Sequence, residues 1–307
     1  MKLSILTWNV NFMHDNWLNR VKNINKTLEQ HIDNTDIIAL QEATLPFSNK
    51  ISDIYKFLKC KTINYSTGAE FFSERNYLYK KINTLFPRYN KVITSIFEYL
   101  MDKLLFICGY IFSEYGEFMK ELYFSHPYIC IFIALLCPIL FLGSWFFIGM
   151  ITIISKNIKT NIKSKYIGRA LQYCEFEFNG REIVFVNIHL TAGKQPKKVE
   201  KRKKEINKIY DFIKDKATCI LAGDFNESPD GYVYHFLKEK GFVSTCSDKL
   251  NNEPFTFPSE KPLKCIDYIW TKGENITIDK ISHFGTENET DHKAIKTTLN
   301  IKKLKTR

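Results

Sequence analysis

The sequence predicts an α/β fold, and three observations carry that expectation. The first is the opening order. Lys2 to Trp8 alternates apolar and polar residues, Trp17, Val21, Ile24, Leu28 and Ile32 recur at helical spacing, and DIIALQE at 36–42 is a short apolar run. Alternation reads as a strand and the wider spacing as a helix, so the chain begins strand, helix, strand. The second observation is that this grammar returns after about residue 149. The third is bulk: 307 residues, 45% of them hydrophobic and 25% charged, suit one large globular domain or two small ones.

Each later element has its own signal. RALQYCEFEF, GREIVFVNIHL, TCILAGDFN, KCIDYIW and HKAIKTTLNI all read as strands. Asn179-Gly180 between the first two is a hairpin turn, because both central residues of such a turn need a left-handed backbone. Val199, Ile206, Ile209, Tyr210 and Ile213 form an apolar stripe, which predicts a helix between the second and third strands. DIIALQE ends in polar residues, which suits a buried strand with a site residue at its C-terminal end. Eight cysteines are scattered without CxxC or zinc spacing and read as reduced core thiols. MKLSILTWNV is a strand and not a signal peptide.

The middle of the chain has another character. Residues 92–121 mix Phe, Ile and Leu with Glu98, Asp102, Lys103, Glu114, Glu117 and Lys120, as an amphipathic helix does. From Leu122 to Ser155 there is no Asp, Glu, Lys or Arg for 34 residues.

The net charge is +11, and eight basic residues against two acidic ones lie between Lys194 and Lys208. That excess points to an anionic partner. The cluster is expected on the outer face of the Val199–Ile213 helix and in the loop before it. A solvated lysine face, a phosphate-backbone contact and an anionic-lipid contact all fit it. No protein partner is inferred.

Polar groups gather at the edges of the apolar runs. They are Asn9 and Asn11, Glu42, His189 in NIHL, Asp224 and Asn226 in GDFN, Asp267 in CIDYIW, and Asp291–His292 in TDH. One acid at a strand end means little, but four acids, two histidines and several asparagines suggest one convergent site. The residue types suit metal-assisted phosphoryl chemistry. Carboxylates bind hard cations through oxygen, a bound cation offsets charge on a phosphoryl group, and a carboxylate-held histidine moves protons. Asn11 reads as a simple loop residue.

TWNVN, LQE, NIHL, GDFNESPD, IDYI and TDH occur in that order, and the chain resembles the endonuclease/exonuclease/phosphatase (DNase I-like) superfamily. The nearest branches are the tyrosyl-DNA phosphodiesterase-like and neutral sphingomyelinase-like ones. The resemblance covers residues 1–60 and 149–307. It implies a four-layer α/β sandwich, two packed mixed β-sheets flanked by helices, here with a hydrophobic helical insertion. It also implies roles. Glu42 binds Mg²⁺ (or Mn²⁺), with Asn9 beside it and Asp291 completing the metal environment. Asp224 activates the attacking water, and Asn226 and His189 contact the phosphate. His292 stabilises the transition state or transfers a proton, and Asp267 orients it.

The family pattern has a strand before RALQ, and GMITIISKNI at 149–158 fits it. The long apolar run is therefore composite. Its tail is a sheet strand, and Tyr128–Phe147 is a 20-residue apolar core, about 30 Å as a helix, which matches a bilayer's hydrocarbon thickness. Glu42 precedes this segment and Asp224 and His292 follow it, so the chain must return to the side it left. A re-entrant hairpin bent at Pro138 and Gly143, a second crossing at 92–112, an interfacial helix and a buried core helix are the options. The expected organisation is a catalytic domain over 1–69 and 149–307 and a membrane-associating insertion over 70–148, with membrane contact through about 92–148. Lys156, Lys159, Lys163 and Lys165 follow the run and put the catalytic domain on the cytosolic side.

The expected activity is that of a Mg²⁺-dependent phosphodiesterase on a membrane. A lipid phosphodiester such as sphingomyelin is the first substrate reading. A nucleic acid, including a 5′-tyrosyl DNA end, is the second. A non-catalytic membrane scaffold is the third, and the intact acid set argues against it.

Overall fold

The structure, a computed structural model, describes residues 1–11, 17–44, 64–69, 148–155, 157–158, 160, 162–166, 170–250 and 254–303. The insertion expected over 70–148 lies, apart from Ile148, outside the described residues. So do the options for how it meets a bilayer. Among the described residues, no helix is long and apolar enough to cross a membrane.

Two six-stranded mixed sheets stack face to face. In the first, the strands are β1 (Lys2–Asn9), β2 (Ile37–Thr44), β3 (Asn64–Ala69), β4 (Ile148–Ile154), β11 (Ile276–Phe284) and β12 (Ala294–Ile301), in the order β11-β12-β1-β2-β4-β3. The second holds β5 (Lys163–Tyr166), β6 (Ala170–Phe178), β7 (Arg181–His189), β8 (Cys219–Asp224), β9 (Val243–Ser244) and β10 (Asp267–Lys272), in the order β5-β6-β7-β8-β10-β9. Helix α1 (Trp17–Ile32) covers the first sheet, and α2 (Pro196–Ile213) and α3 (Tyr232–Glu239) cover the second. A short α4 (Thr245–Leu250) follows β9. This is the predicted four-layer sandwich.

Period-two alternation sorts the strand residues between layers. Leu3 and Ile5 on β1, Ile37 and Ala39 on β2, Ile183 and Phe185 on β7, and Ile220 and Ala222 on β8 fill the space between the sheets. Their neighbours Leu6, Trp8, Ile38 and Leu40 pack with Val21, Ile24 and Leu28 of α1. Val184, Val186, Ile188 and Leu221 pack with Ile206, Ile209 and Ile213 of α2. Strands β1 and β2 run parallel, as do β7 and β8. Their C-terminal ends therefore share one edge of the sandwich, and β10, antiparallel to β8, starts there.

The composite reading of the apolar run holds at its tail. β4 lies between β2 and β3, with Ala43 and Ala69 both paired to Gly149. The chain thus leaves at Ala69 and returns at Ile148 on the catalytic edge, beside the end of β2. The predicted hairpin turn is also present: Asn179 and Gly180 have φ of 55° and 74°, as a two-residue turn between right-twisted strands requires. Cys174, Cys219, Cys246 and Cys265 are buried and free, consistent with core thiols.

The basic helix needs one correction. Lys194, Lys197, Lys198, Lys201, Lys204 and Lys208 are exposed, but Arg202 and Glu205 turn inward. Glu205 accepts from the backbone N–H (2.9 Å) and hydroxyl (2.7 Å) of Thr191. Arg202 donates to the carbonyls of Thr191 (2.9 Å) and Gly193 (2.7 Å) and to Glu227 Oε1 (3.1 Å). A fully exposed charged face would leave the loop after β7 without these partners. The buried pair fixes that loop directly behind His189.

Candidate active site

The same alternation that builds the inter-sheet core delivers the polar residues at its edge. On β1 the inward series runs Leu3, Ile5, Thr7, Asn9. On β7 it runs Ile183, Phe185, Asn187, His189, and on β8 Ile220, Ala222, Asp224. His189 pairs in register with Asp224, and Asp224 with Asp267, so three site residues lie side by side across the second sheet.

Glu42 arrives differently. Gln41 faces inward, so a regular strand would turn Glu42 towards α1. The register of β2 against β4 shifts between Leu40 and Ala43, and Glu42 has φ of +49°. This is a β-bulge, in which one extra residue re-aims a side chain. Ala43 then packs on the α1 side with Leu40, as the changed phase requires.

The groups meet closely. Asn9 Nδ2 donates to Asp224 Oδ2 at 3.0 Å and to Glu42 Oε1 at 3.2 Å, while its Oδ1 accepts from the Asn11 N–H at 2.9 Å. Asn9 therefore bridges the two carboxylates and holds them apart at a fixed spacing. His189 Nε2 is 3.5 Å from Glu42 Oε1 and 3.7 Å from Asp224 Oδ2. Glu42, His189 and Asp224 offer ligand atoms within 4.8 Å of one another. Asp224 Oδ1 accepts from the Asn226 N–H at 2.7 Å, and the Asn226 side chain donates to the Leu190 carbonyl at 3.0 Å.

His292 Nδ1 lies 3.0 Å from Asp267 Oδ2, and its Nε2 is 4.0 Å from Asp224 Oδ2. Burial disfavours the imidazolium, but Asp267, by charge and hydrogen bond, then Asp224 and Asp291 outweigh it, and the His292 pKa is pushed up to about 10. Asp224 is shifted upward, chiefly by burial and then by Asp267, with His292, His189 and Asn9 opposing. His292 is thus a cation at neutral pH, and Asp224 is a stronger base than an ordinary carboxylate.

The profile of the Endonuclease/Exonuclease/phosphatase family matches residues 6–292. The chain belongs to that family. Its members are hydrolases of phosphodiester or phosphate bonds. Humanized D. rerio TDP2 with 14 mutations is 15% identical, with a TM-score of 0.59 over 97% of this chain and 99% of that one. D. rerio TDP2 complexed with a single strand DNA product is 14% identical, with a TM-score of 0.55 over 97% and 99%. Likeness at this identity establishes the fold. An uncharacterized calcium-binding protein of Arabidopsis thaliana is 30% identical over 86 residues, 24% of this chain and 18% of that protein. The chain thus aligns with less than a fifth of that relative's length.

Within this Endonuclease/Exonuclease/phosphatase fold, the structure brings Asn9, Glu42, His189, Asp224, Asn226, Asp267 and His292 to one edge. Asp291 joins through Asn11: Asn11 Nδ2 donates to Asp291 Oδ1 at 3.0 Å, and Thr290 Oγ1 donates to Asp291 Oδ1 at 3.3 Å. Asn11, expected to be a plain loop residue, is therefore part of the site's frame. Its φ of +37° suits Asn, whose short side chain tolerates a left-handed backbone.

Two supports carried no role in the sequence reading. Arg20, on the apolar side of α1, donates to the carbonyls of Val10 (2.9 Å), Asn11 (3.1 Å) and Glu289 (2.8 Å). It ties the segment after β1 to the one before His292. Its signal was a charge within the stripe of Trp17, Val21 and Ile24. Below the ionisable layer, Gln41 Nε2 donates to Asn187 Oδ1 (2.8 Å) and Thr7 Oγ1 (3.1 Å). Asn187 Nδ2 donates to Thr152 Oγ1 (3.1 Å), which donates to Gln172 Oε1 (2.7 Å). This buried network pins the two sheets together directly beneath the site, where apolar packing gives way to charge. Gln41, Asn187 and Gln172 sit inside LQE, NIHL and ALQ, so their positions were visible but their function was not.

Proposed function

We propose that the protein is a divalent-metal-dependent phosphodiesterase acting on a phosphodiester at a membrane surface, a lipid phosphodiester in the first instance. The observation that carries the catalytic part is the convergence of Glu42, His189 and Asp224 with the Asp267–His292 pair at one strand edge. Two carboxylates and an imidazole nitrogen fit a small divalent cation, Mg²⁺ or, given the nitrogen, Mn²⁺. Glu42 would hold it together with His189 or Asp224, and Asn9 and Asp291 are the neighbours that orient that set. When bound, such a cation polarises a phosphoryl oxygen and offsets the charge that develops there.

The chain's own groups supply the rest. Asp224, with its raised pKa, accepts a proton from the attacking water. His292, held as a cation by Asp267, donates from Nε2 to a phosphoryl or leaving-group oxygen. Asn226 is fixed by its bonds to Asp224 and Leu190, and the second N–H of its amide would serve the phosphate. Membrane presentation is supported by the uncharged run from Leu122, which lies between the end of β3 and the start of β4, both on the catalytic edge. The lysines after the run favour the cytosolic face. Nucleic acid is the second reading, favoured by the fold's likeness to a TDP2 complexed with single strand DNA product and by the lysines of α2.

The test uses purified full chain with Mg²⁺ or Mn²⁺. It is offered bis(p-nitrophenyl) phosphate, sphingomyelin vesicles and 5′-tyrosyl single-stranded DNA. Metal-dependent turnover of the soluble ester with phosphocholine release is expected. DNA turnover without phosphocholine release replaces the lipid reading with the nucleic-acid one. No metal-dependent turnover of any of the three rejects both.

A further inference from the structure

The loop 254–266 leads into Asp267 and stands on the catalytic edge. Among the described residues, the exposed large hydrophobics are Met1, Tyr232, Val243, Phe255 and Leu263, and two of these five are on this loop. Phe255 is 56% exposed and Leu263 is 70% exposed. Tyr232, by contrast, has Lys203 Nζ over its ring at 5.1 Å.

The loop cannot fold these side chains away, because it is stapled to the site. The Thr256 N–H donates to the Lys264 carbonyl (2.7 Å), and Phe257 and Lys264 exchange backbone bonds of 3.0 and 2.9 Å. Thr256 Oγ1 accepts from the N–H groups of Ile266 (3.2 Å) and Asp267 (3.3 Å). The Ser259 N–H donates to the Asp291 carbonyl (2.8 Å), and the Lys293 N–H to the Thr256 carbonyl (2.8 Å). The Phe257 ring lies 4.9 Å from that of His292. The loop is therefore fixed in water with its apolar residues out. A partner that covered these side chains would gain from removing their apolar surface from water.

We infer that this loop is an interfacial anchor. Phe255 and Leu263 enter the headgroup–acyl boundary of a bilayer, and the catalytic edge faces the lipid. Three observations select a bilayer as the occupant. Lys261 and Lys264 bracket Leu263, the more exposed of the two, while Glu253 and Glu260 are the acids of this stretch; long basic side chains beside an exposed apolar one suit insertion at a headgroup layer. The 78 residues between Ala69 and Ile148 leave and return on this same edge, and they include an uncharged run from Leu122 to Phe147. Lys194, Lys197 and Lys198, at the junction of β7 and α2, are exposed on this edge as well. A single-stranded nucleic acid is the weaker fit, since stacking needs flat faces and Leu263 has none.

The inference deepens the membrane part of the reading above and does not need the catalytic part. Full-length Phe255→Trp and Leu263→Trp variants would be mixed with phosphatidylcholine–phosphatidylserine vesicles carrying brominated phosphatidylcholine. Each new indole should be quenched and blue-shifted beyond the parent chain, whose own tryptophans are Trp8, Trp17, Trp145 and Trp270. A Phe255→Asp/Leu263→Asp variant should lose about tenfold or more of its rate on vesicle-borne sphingomyelin, with its rate on bis(p-nitrophenyl) phosphate unchanged. No added quenching with the chain bound to vesicles overturns the inference. So does failure of the chain to bind vesicles, or perturbation of the new indoles by single-stranded DNA and not by lipid. Quenching in a chain inactive on the soluble ester keeps this inference and rejects the catalytic reading.

Discussion

Strands β8 and β2 deliver the two central carboxylates in opposite ways. Asp224 comes in phase, as the next inward residue after Ile220 and Ala222, and is 1% exposed. Glu42 comes out of phase, on a bulge with positive φ, and its side chain is 26% exposed. A regular strand end makes a dry carboxylate whose raised pKa suits proton transfer. A bulge makes a wetter carboxylate that can meet a cation arriving from solvent with part of its water shell. Asn9 spans the two and lets them differ without moving apart.

The largest test of this contrast is on the dry side. Asp224→Asn keeps the shape and the Asn226 N–H acceptor but removes the base. Turnover of bis(p-nitrophenyl) phosphate should fall about 10²–10⁴-fold, with the melting temperature retained or raised, because a buried charge is gone. A smaller fall would reassign the base. The next is structural. At Gly223, with φ of +148°, an added Cβ would lie 1.8 Å from the Ile188 carbonyl oxygen. Gly223→Ala should cost on the order of 3–4 kcal/mol in urea unfolding and separate Asp224 from His189. An unchanged midpoint would mean that β7 and β8 tolerate more separation than their register implies.

A third prediction concerns the Asp267–His292 pair. The folded pKa of His292, about 10, lies above its ordinary 6.5. The pair's stabilisation is therefore fully present below pH 6.5 and is lost as pH rises through 10. Asp267→Asn should lower stability by about 3 kcal/mol near neutrality and below, and the gap to the parent chain should close towards pH 10. Unfolding curves at several pH values check this. A gap that widens with pH would mean that His292 is neutral in the fold.

The contrast also marks what the sequence could disclose. Alternation from Leu3 to Asn9, from Ile183 to His189 and from Ile220 to Asp224 made both the core and the site legible, because one period governs both. The α1 stripe from Trp17 to Ile32 was equally plain. The bulge at Glu42 was not, since an extra residue leaves no mark on a period-two pattern when no Gly announces it. Asn11 looked like a loop residue because its partner, Asp291, is 280 positions away. Arg202 and Glu205 were hidden among lysines of identical local texture. β11 escaped notice because both of its faces are only partly buried and its pattern does not alternate. The apolar run from Leu122 was conspicuous by composition alone, and strand β4 at its tail was recoverable because its hydrophobicity fitted the place of a sheet strand.

The most direct test of the two-carboxylate account is a metal titration of turnover on a soluble phosphodiester, run on Glu42→Gln beside Asp224→Asn. Glu42→Gln should need about 10–100-fold more Mg²⁺ or Mn²⁺ for half-maximal rate and recover most of its turnover at saturation. Asp224→Asn should stay slow at every metal concentration. Recovery of Asp224→Asn by metal, with Glu42→Gln slow throughout, would exchange the two roles and contradict the account.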